Sequence, residues 1–152
     1  MQMMEARDYV WHQRFMKLAD QVAKWSKDPS TKVGCVLIKD RRIISTGFNG
    51  FPRGINDDIN RLMDREKKYE LTIHAETNAI ITAAIHGVST DGCSAYVTMH
   101  PCSRCSAALI NAGIKNVYVK GCKDIPERWL ENFILASKLL EEAGIPLVAV
   151  DL

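Results

Sequence analysis

The chain has no run of apolar residues approaching the length of a membrane span, and its first residues, MQMMEARDYVWHQ, carry no signal-peptide core. These two absences predict a cytoplasmic protein with no membrane partner. An excess of charge of one sign is also missing. Twenty Lys plus Arg stand against 18 Asp plus Glu, for a net charge of +2, which is not the basic footprint of a protein living on nucleic acid. No nucleic-acid partner is therefore expected. A small anionic substrate is not excluded, because it needs only a few local cations. Repeats, low-complexity tracts and linker-like stretches are absent as well, so the 152 residues read as one domain, 1–152, long enough for a real core. Five cysteines, at 35, 93, 102, 105 and 122, make an odd count. A disulfide framework is not expected in a reducing compartment.

What is present alternates. Val10, Phe15, Leu18, Val22 and Trp25 recur at helical spacing over Asp8 to Ser26. SKDPSTK breaks that helix at Pro29. VGCVLI (33–38) and RIISTGF (42–48), joined by a short polar connector, predict a β-hairpin whose first strand is apolar throughout and covered on both faces. FNGFPRG (48–54) is a loop by its Gly, Asn and Pro content, and the charged stretch 55–70 reads as one short surface helix. Then come a helix (73–86), a strand (95–99), a helix (103–112), a strand (116–120), a helix (127–143) and a strand (146–150). Such alternation implies right-handed crossovers and parallel strands. The predicted fold is an α/β/α sandwich: a five-stranded mixed sheet, its opening hairpin antiparallel and its remaining strands parallel.

The helix LTIHAETNAIITAAIH (71–86) is small and apolar, yet it opens with His74 and Glu76. An imidazole and a carboxylate are both costly to bury unless something satisfies them. Taken alone they are ordinary structural residues, with the Glu complementing a helix dipole. The partner lies at PCSRC, where Cys102 and Cys105 fall on one side of the first turn of the next helix. That pair by itself leaves half a zinc ribbon or a redox dithiol open. With one strand between the two helix starts, His74, Cys102 and Cys105 can converge. One neutral nitrogen and two thiolates suit Zn²⁺, and three protein ligands leave a fourth tetrahedral position for water. Glu76 then stands as the proton-transferring carboxylate. H-x-E followed by P-C-x-x-C is the signature of zinc nucleobase deaminases.

HAETNAI, PCSRC, GFNGFPRG and KDPSTKVG together resemble the deoxycytidylate (dCMP) deaminases of the zinc cytidine deaminase superfamily, over about Tyr9 to Val150. The resemblance implies hydrolysis of dCMP to dUMP and ammonia, supplying the precursor of thymidylate. It implies a homohexamer activated by dCTP and inhibited by dTTP with Mg²⁺. It assigns Glu76 to catalysis and His74, Cys102 and Cys105 to zinc. Lys27, Ser30 and Thr31 would hold the 5′-phosphate, Asn49 the sugar, and Ala75 would also touch substrate. Gly50, Phe51, Arg53, Asn56 and Arg65 would belong to the regulatory nucleotide site. Residue by residue, plainer roles stay open: a turn residue for Asn49, a solvated cation for Lys27, packing for Phe51. Some relatives hold a second, structural zinc. Residues 55–73 contain neither Cys nor His, so one zinc per subunit is expected, with Cys35, Cys93 and Cys122 as small core or strand residues. Some relatives also carry an aromatic and an arginine along the HAE helix, where this chain has Thr82 and Ile85.

Two other functions fit parts of the pattern. One is another deaminase of the superfamily, acting on tRNA adenosine or free cytidine, against which the small net charge argues for the RNA case. The other is a zinc-stabilised binding module without chemistry, in which Glu76 would have no use.

Overall fold

The computed structural model describes residues 6–121 and 124–152. The chain opens with α1 (Ala6–Ala23), which turns Phe15, Met16, Ala19 and Val22 inward at helical spacing. β1 (Gly34–Lys39) and β2 (Arg42–Phe48) form an antiparallel hairpin. Asp40 and Arg41 between them have φ of 51° and 60°, the left-handed pair that a two-residue hairpin turn demands. After the FNGFPRG loop come α2 (Ile59–Met63), α3 (Arg65–Leu71) and α4 (Ala75–Ile85). β3 (Ser94–Val97), α5 (Ser103–Asn111), β4 (Asn116–Lys120), α6 (Glu127–Glu142) and β5 (Leu147–Val150) complete the chain.

The five strands lie in the order β2-β1-β3-β4-β5. β1 is antiparallel to both neighbours, while β3, β4 and β5 are mutually parallel. Alternation along β1 divides the core. Cys35 and Leu37 pack with Ala75 and Ala79 of α4, Leu109 of α5 and Leu140 of α6. Val36 and Ile38 point the other way, against Phe15, Met16, Ala19 and Val22 of α1. The result is three layers, α1 over one face and α4, α5 and α6 over the other, as the helix and strand alternation predicts. Cys35 and Cys93 are fully buried small residues of the α4–α6 side. Cys122 lies outside the described residues.

The stretch 55–70 differs from the expectation of one helix. It holds two short ones, because Asp58 and Asp64 each cap a new start. The Asp58 side chain accepts from the Asn60 N–H and the Asp64 side chain from the Lys67 N–H, and Asp64 itself is extended.

The topology explains where the chemistry gathers. β2 and β3 flank β1 and run the same way, so their C-terminal ends share one edge: Phe48 pairs with Gly34 and Val97 with Cys35. α5 starts beyond β3. α4 is brought to the same edge by a bridge in which the Gly50 N–H donates to Ile73 O and the Ile73 N–H to Gly50 O, at 3.1 and 2.8 Å. α4 then lies directly on β2, where Gly47 leaves no room for a side chain and the Ser45 hydroxyl donates to Ala79 O at 2.6 Å.

Candidate metal centre and substrate cavity

His74 is the N-cap of α4, and its ring makes no capping bond. Its Nδ1 lies 3.5 Å from Cys102 Sγ and 3.4 Å from Cys105 Sγ. A ring nitrogen carries at most one hydrogen, so facing two sulfurs at once aims all three donors at a common point. Bond lengths of roughly 2.0–2.1 Å for Zn–N and 2.3 Å for Zn–S set a tetrahedral N···S edge of about 3.6 Å, close to both separations. His74 is exposed, Cys102 half-buried and Cys105 buried. Cys102 caps α5, its sulfur accepting from the Cys105 N–H at 3.4 Å, and the Thr77 hydroxyl stands 3.8 Å from Cys105 Sγ.

The charges agree with a cation site. The Cys102 thiol is held far below its ordinary range, first by its hydrogen bond with Cys105 and then by His74 and the Cys105 N–H. The same thiol–thiol hydrogen bond, followed by burial, pushes the Cys105 thiol up. Ionising both needs a cation among the three donors. Contact with Cys102 raises the His74 pKa. Glu76, in the first turn of α4, is 4% exposed. Burial raises its carboxyl above the usual range, against its own backbone N–H and the Cys105 thiol, which favour the charged form. A buried carboxyl thus stands beside three side chains that could hold a metal ion.

His74, Glu76 and Cys102 line a cavity of about 470 Å³, within the size range of small-molecule sites. Of the residues expected to meet substrate, Ser30, Thr31, Asn49, Ala75 and Glu76 line it. The Asn49 amide ties two loop segments together, accepting from the Val33 N–H at 2.9 Å and donating to Thr31 O at 2.9 Å. Lys27 stands elsewhere, 71% exposed and paired with Asp57 at 2.6 Å. Arg65, expected at a regulatory site, lines this same cavity, whereas Gly50, Phe51, Arg53 and Asn56 do not. Arg53 and Asn56 are exposed and Phe51 half-buried.

The cavity also holds residues that no motif pointed to. Lys68 and Tyr69 come from α3, His100 from the loop after β3, and Arg128, Trp129 and Phe133 from α6. His100 stacks on Phe133 at 4.6 Å and approaches the Ser137 hydroxyl through Nε2 at 3.1 Å. The only sequence signal for the α6 wall was its aromatic spacing at 129 and 133, one helical turn apart.

Comparison with known proteins places this geometry. The model of the cytidine and deoxycytidylate deaminase zinc-binding region matches residues 9–120. An uncharacterized deaminase encoded in the luxG 3′ region of Aliivibrio fischeri is 42% identical over 136 residues, covering 89% of this chain and 90% of that protein. The probable deoxycytidylate deaminase of Caenorhabditis elegans is 39% identical over 149 residues, covering 91% of this chain and 69% of its own. The crystal structure of dCMP deaminase from the cyanophage S-TIM5, in apo form, superposes with a TM-score of 0.73 at 26% identity, over 96% of this chain and 99% of that one.

Proposed function

Since the chain belongs to the cytidine and deoxycytidylate deaminase zinc-binding family, we propose that it hydrolyses dCMP to dUMP and ammonia as a single domain over residues 1–152. The observation that carries this is the convergence of His74 Nδ1 on Cys102 Sγ and Cys105 Sγ with the buried Glu76 carboxyl beside them. His74, Cys102 and Cys105 would hold Zn²⁺, which when bound supplies Lewis-acid activation of water. Glu76 takes a proton from the attacking water at its carboxylate and delivers it to the ring nitrogen of cytosine. A second transfer through Glu76 reaches the amino group. The new C4–O bond becomes the carbonyl as the C4–N bond breaks and ammonia leaves. Ser30, Thr31, Asn49 and Ala75, which line the cavity, position the nucleotide.

The same proposal extends to regulation. dCTP would activate and dTTP with Mg²⁺ inhibit, in a cytoplasmic homohexamer, through a site at Gly50, Phe51, Arg53 and Asn56. In support, Gly50 is hydrogen-bonded to Ile73, the residue before His74. A ligand that held the loop differently in two states would shift the catalytic helix start. Saturating dTTP and dCTP should therefore displace the dCMP rate curve in opposite directions, and Arg53→Ala should blunt both. Unaltered curves would remove the regulatory reading.

The primary test is an ultraviolet deamination assay on dCMP, CMP, deoxycytidine and an anticodon stem-loop. Turnover of dCMP above the others is expected. Turnover of the RNA alone, or of nothing at all by zinc-loaded protein, would overturn the proposal.

A further inference from the structure

His100 and Ser103 flank the Pro101–Cys102 pair, and both are fastened to α6. On one side His100 stacks on Phe133 and approaches the Ser137 hydroxyl. On the other side Asn132 holds Ser103 twice. Its Oδ1 accepts the Ser103 backbone N–H at 2.9 Å, and its Nδ2 donates to Ser103 Oγ at 3.0 Å. The backbone donor fixes which way this amide points, because the flipped side chain would set N–H against N–H. Ser103 is the first residue of α5, and a first-turn N–H has no partner within its own helix. The helix cap is Cys102, whose sulfur accepts from the Cys105 N–H at 3.4 Å. Cysteine is not among the residues favoured at that position. Asn132 thus provides from α6 the oxygen acceptor that the start of α5 lacks. The link runs on to the metal donors. Cys102 and Cys105 both belong to this turn, whereas His74 Nδ1, 3.5 and 3.4 Å from their sulfurs, comes from α4. Those two separations depend on how the turn is seated.

We propose that Asn132 is a positioning residue for the metal centre. By holding the first turn of α5 it sets the sulfurs of Cys102 and Cys105 against His74, and so tunes how tightly the three donors hold a cation. This rests on the reading of those residues as zinc ligands. Asn132 lies on α6, beyond the 9–120 stretch that the family model matches, and no metal-site motif points to it.

The test titrates metal-free protein with Co²⁺, whose thiolate charge-transfer and d–d bands report sulfur ligation and geometry. Affinity is read by competition with a chelator, and the urea midpoint of the metal-free protein is measured beside it. Asn132→Leu keeps the side-chain bulk and removes both hydrogen bonds. Its Co²⁺ affinity should fall on the order of tenfold to a hundredfold, the usual effect of losing a partner outside the ligand set, and its charge-transfer band should shift. Asn132→Asp keeps an acceptor for the Ser103 N–H and lets the serine hydroxyl donate instead, so it should recover affinity and band. Ala136→Gly replaces a buried α6 residue and weakens the helix by propensity alone. It should lower the urea midpoint and leave both metal readouts at wild-type values. Should Asn132→Leu fail to fold, Asn132→Gln, the same amide carried one methylene out of place, decides the matter by the same readouts. Wild-type affinity and spectrum in Asn132→Leu or Asn132→Gln, no recovery in Asn132→Asp, or an equal loss in Ala136→Gly would overturn the positioning role while the zinc reading stands. If the wild type binds Co²⁺ without a thiolate band, the zinc reading falls and this inference with it.

Discussion

Gly47→Ala puts the link between the sheet and the chemistry under direct load. A β-carbon at position 47 would stand 2.3 Å from Ala75 O, 2.3 Å from Ala79 N and 2.9 Å from Ala79 Cα. All three are backbone atoms of α4, so no side chain can turn aside to relieve the clash. Ordinary contact begins at 3.4 Å, so α4 must retreat by about 1.1 Å. That helix carries Glu76 in its first turn and His74 at its cap. Overpacking of this kind costs about 1–3 kcal/mol, and a displacement near 1 Å of catalytic groups costs on the order of a hundredfold in rate. Purified Gly47→Ala protein should show a lower urea midpoint, weaker zinc retention against a chelator, and deaminase activity reduced on that scale. Gly50→Ala serves as the control, since nothing lies within 4 Å of a β-carbon there. A Gly47→Ala protein with wild-type midpoint, zinc affinity and turnover would refute the view that close approach of β2 to α4 positions the site.

Glu76→Gln should lower turnover roughly 10²- to 10⁴-fold, the usual worth of a general acid–base group, while zinc content and stability hold, because burial already favours a neutral group there; near-normal turnover would contradict its role. His74→Ala and Cys102→Ala should lose zinc and activity together, and stoichiometric zinc by elemental analysis in either would discard the ligand set. His12 carries a pH dependence of stability. Its Nδ1 stands 2.7 Å from the Tyr96 hydroxyl, and burial lowers its pKa against the opposing charge of Asp8. The unfolded chain therefore takes up this proton first, and the contribution is present above about pH 6.5 and lost as pH falls below it. Melting temperatures from pH 7.5 to 5.5 should fall less steeply in His12→Gln than in the wild type, and parallel curves would exclude the effect.

The sequence and the fold agree where the information is local. His74 and Glu76, like Cys102 and Cys105, sit at fixed offsets around helix starts, so spacing alone brings each pair to one side. Strand alternation likewise separated Cys35 and Leu37 from Val36 and Ile38. Lys68 was hidden because KKYE reads as a solvated charged run, and only the docking of α3 onto the SKDPSTK loop buries it. Arg65 stands near the FNGFPRG loop in sequence, yet the break at Asp64 starts a new helix on which it lines the cavity. Trp129 and Phe133 come from more than fifty residues beyond His74. Helical period shows which side of α6 they share, not what that side meets.

The match to the family model ends at residue 120, and the α6 wall begins after it. The candidate metal donors and Glu76 lie within the matched stretch, whereas the cavity lining draws on both sides of its end, Ser30, Thr31 and Asn49 before it and Arg128, Trp129 and Phe133 after it. The metal donors gather at two helix starts, His74 capping α4 and Cys102 capping α5. The wall is one amphipathic helix, fastened beside them by a ring stack between Phe133 and His100 two residues before Cys102. Substitutions at Arg128 and Trp129 would therefore reshape one wall of the cavity without touching the two helix starts that bring His74, Cys102 and Cys105 together.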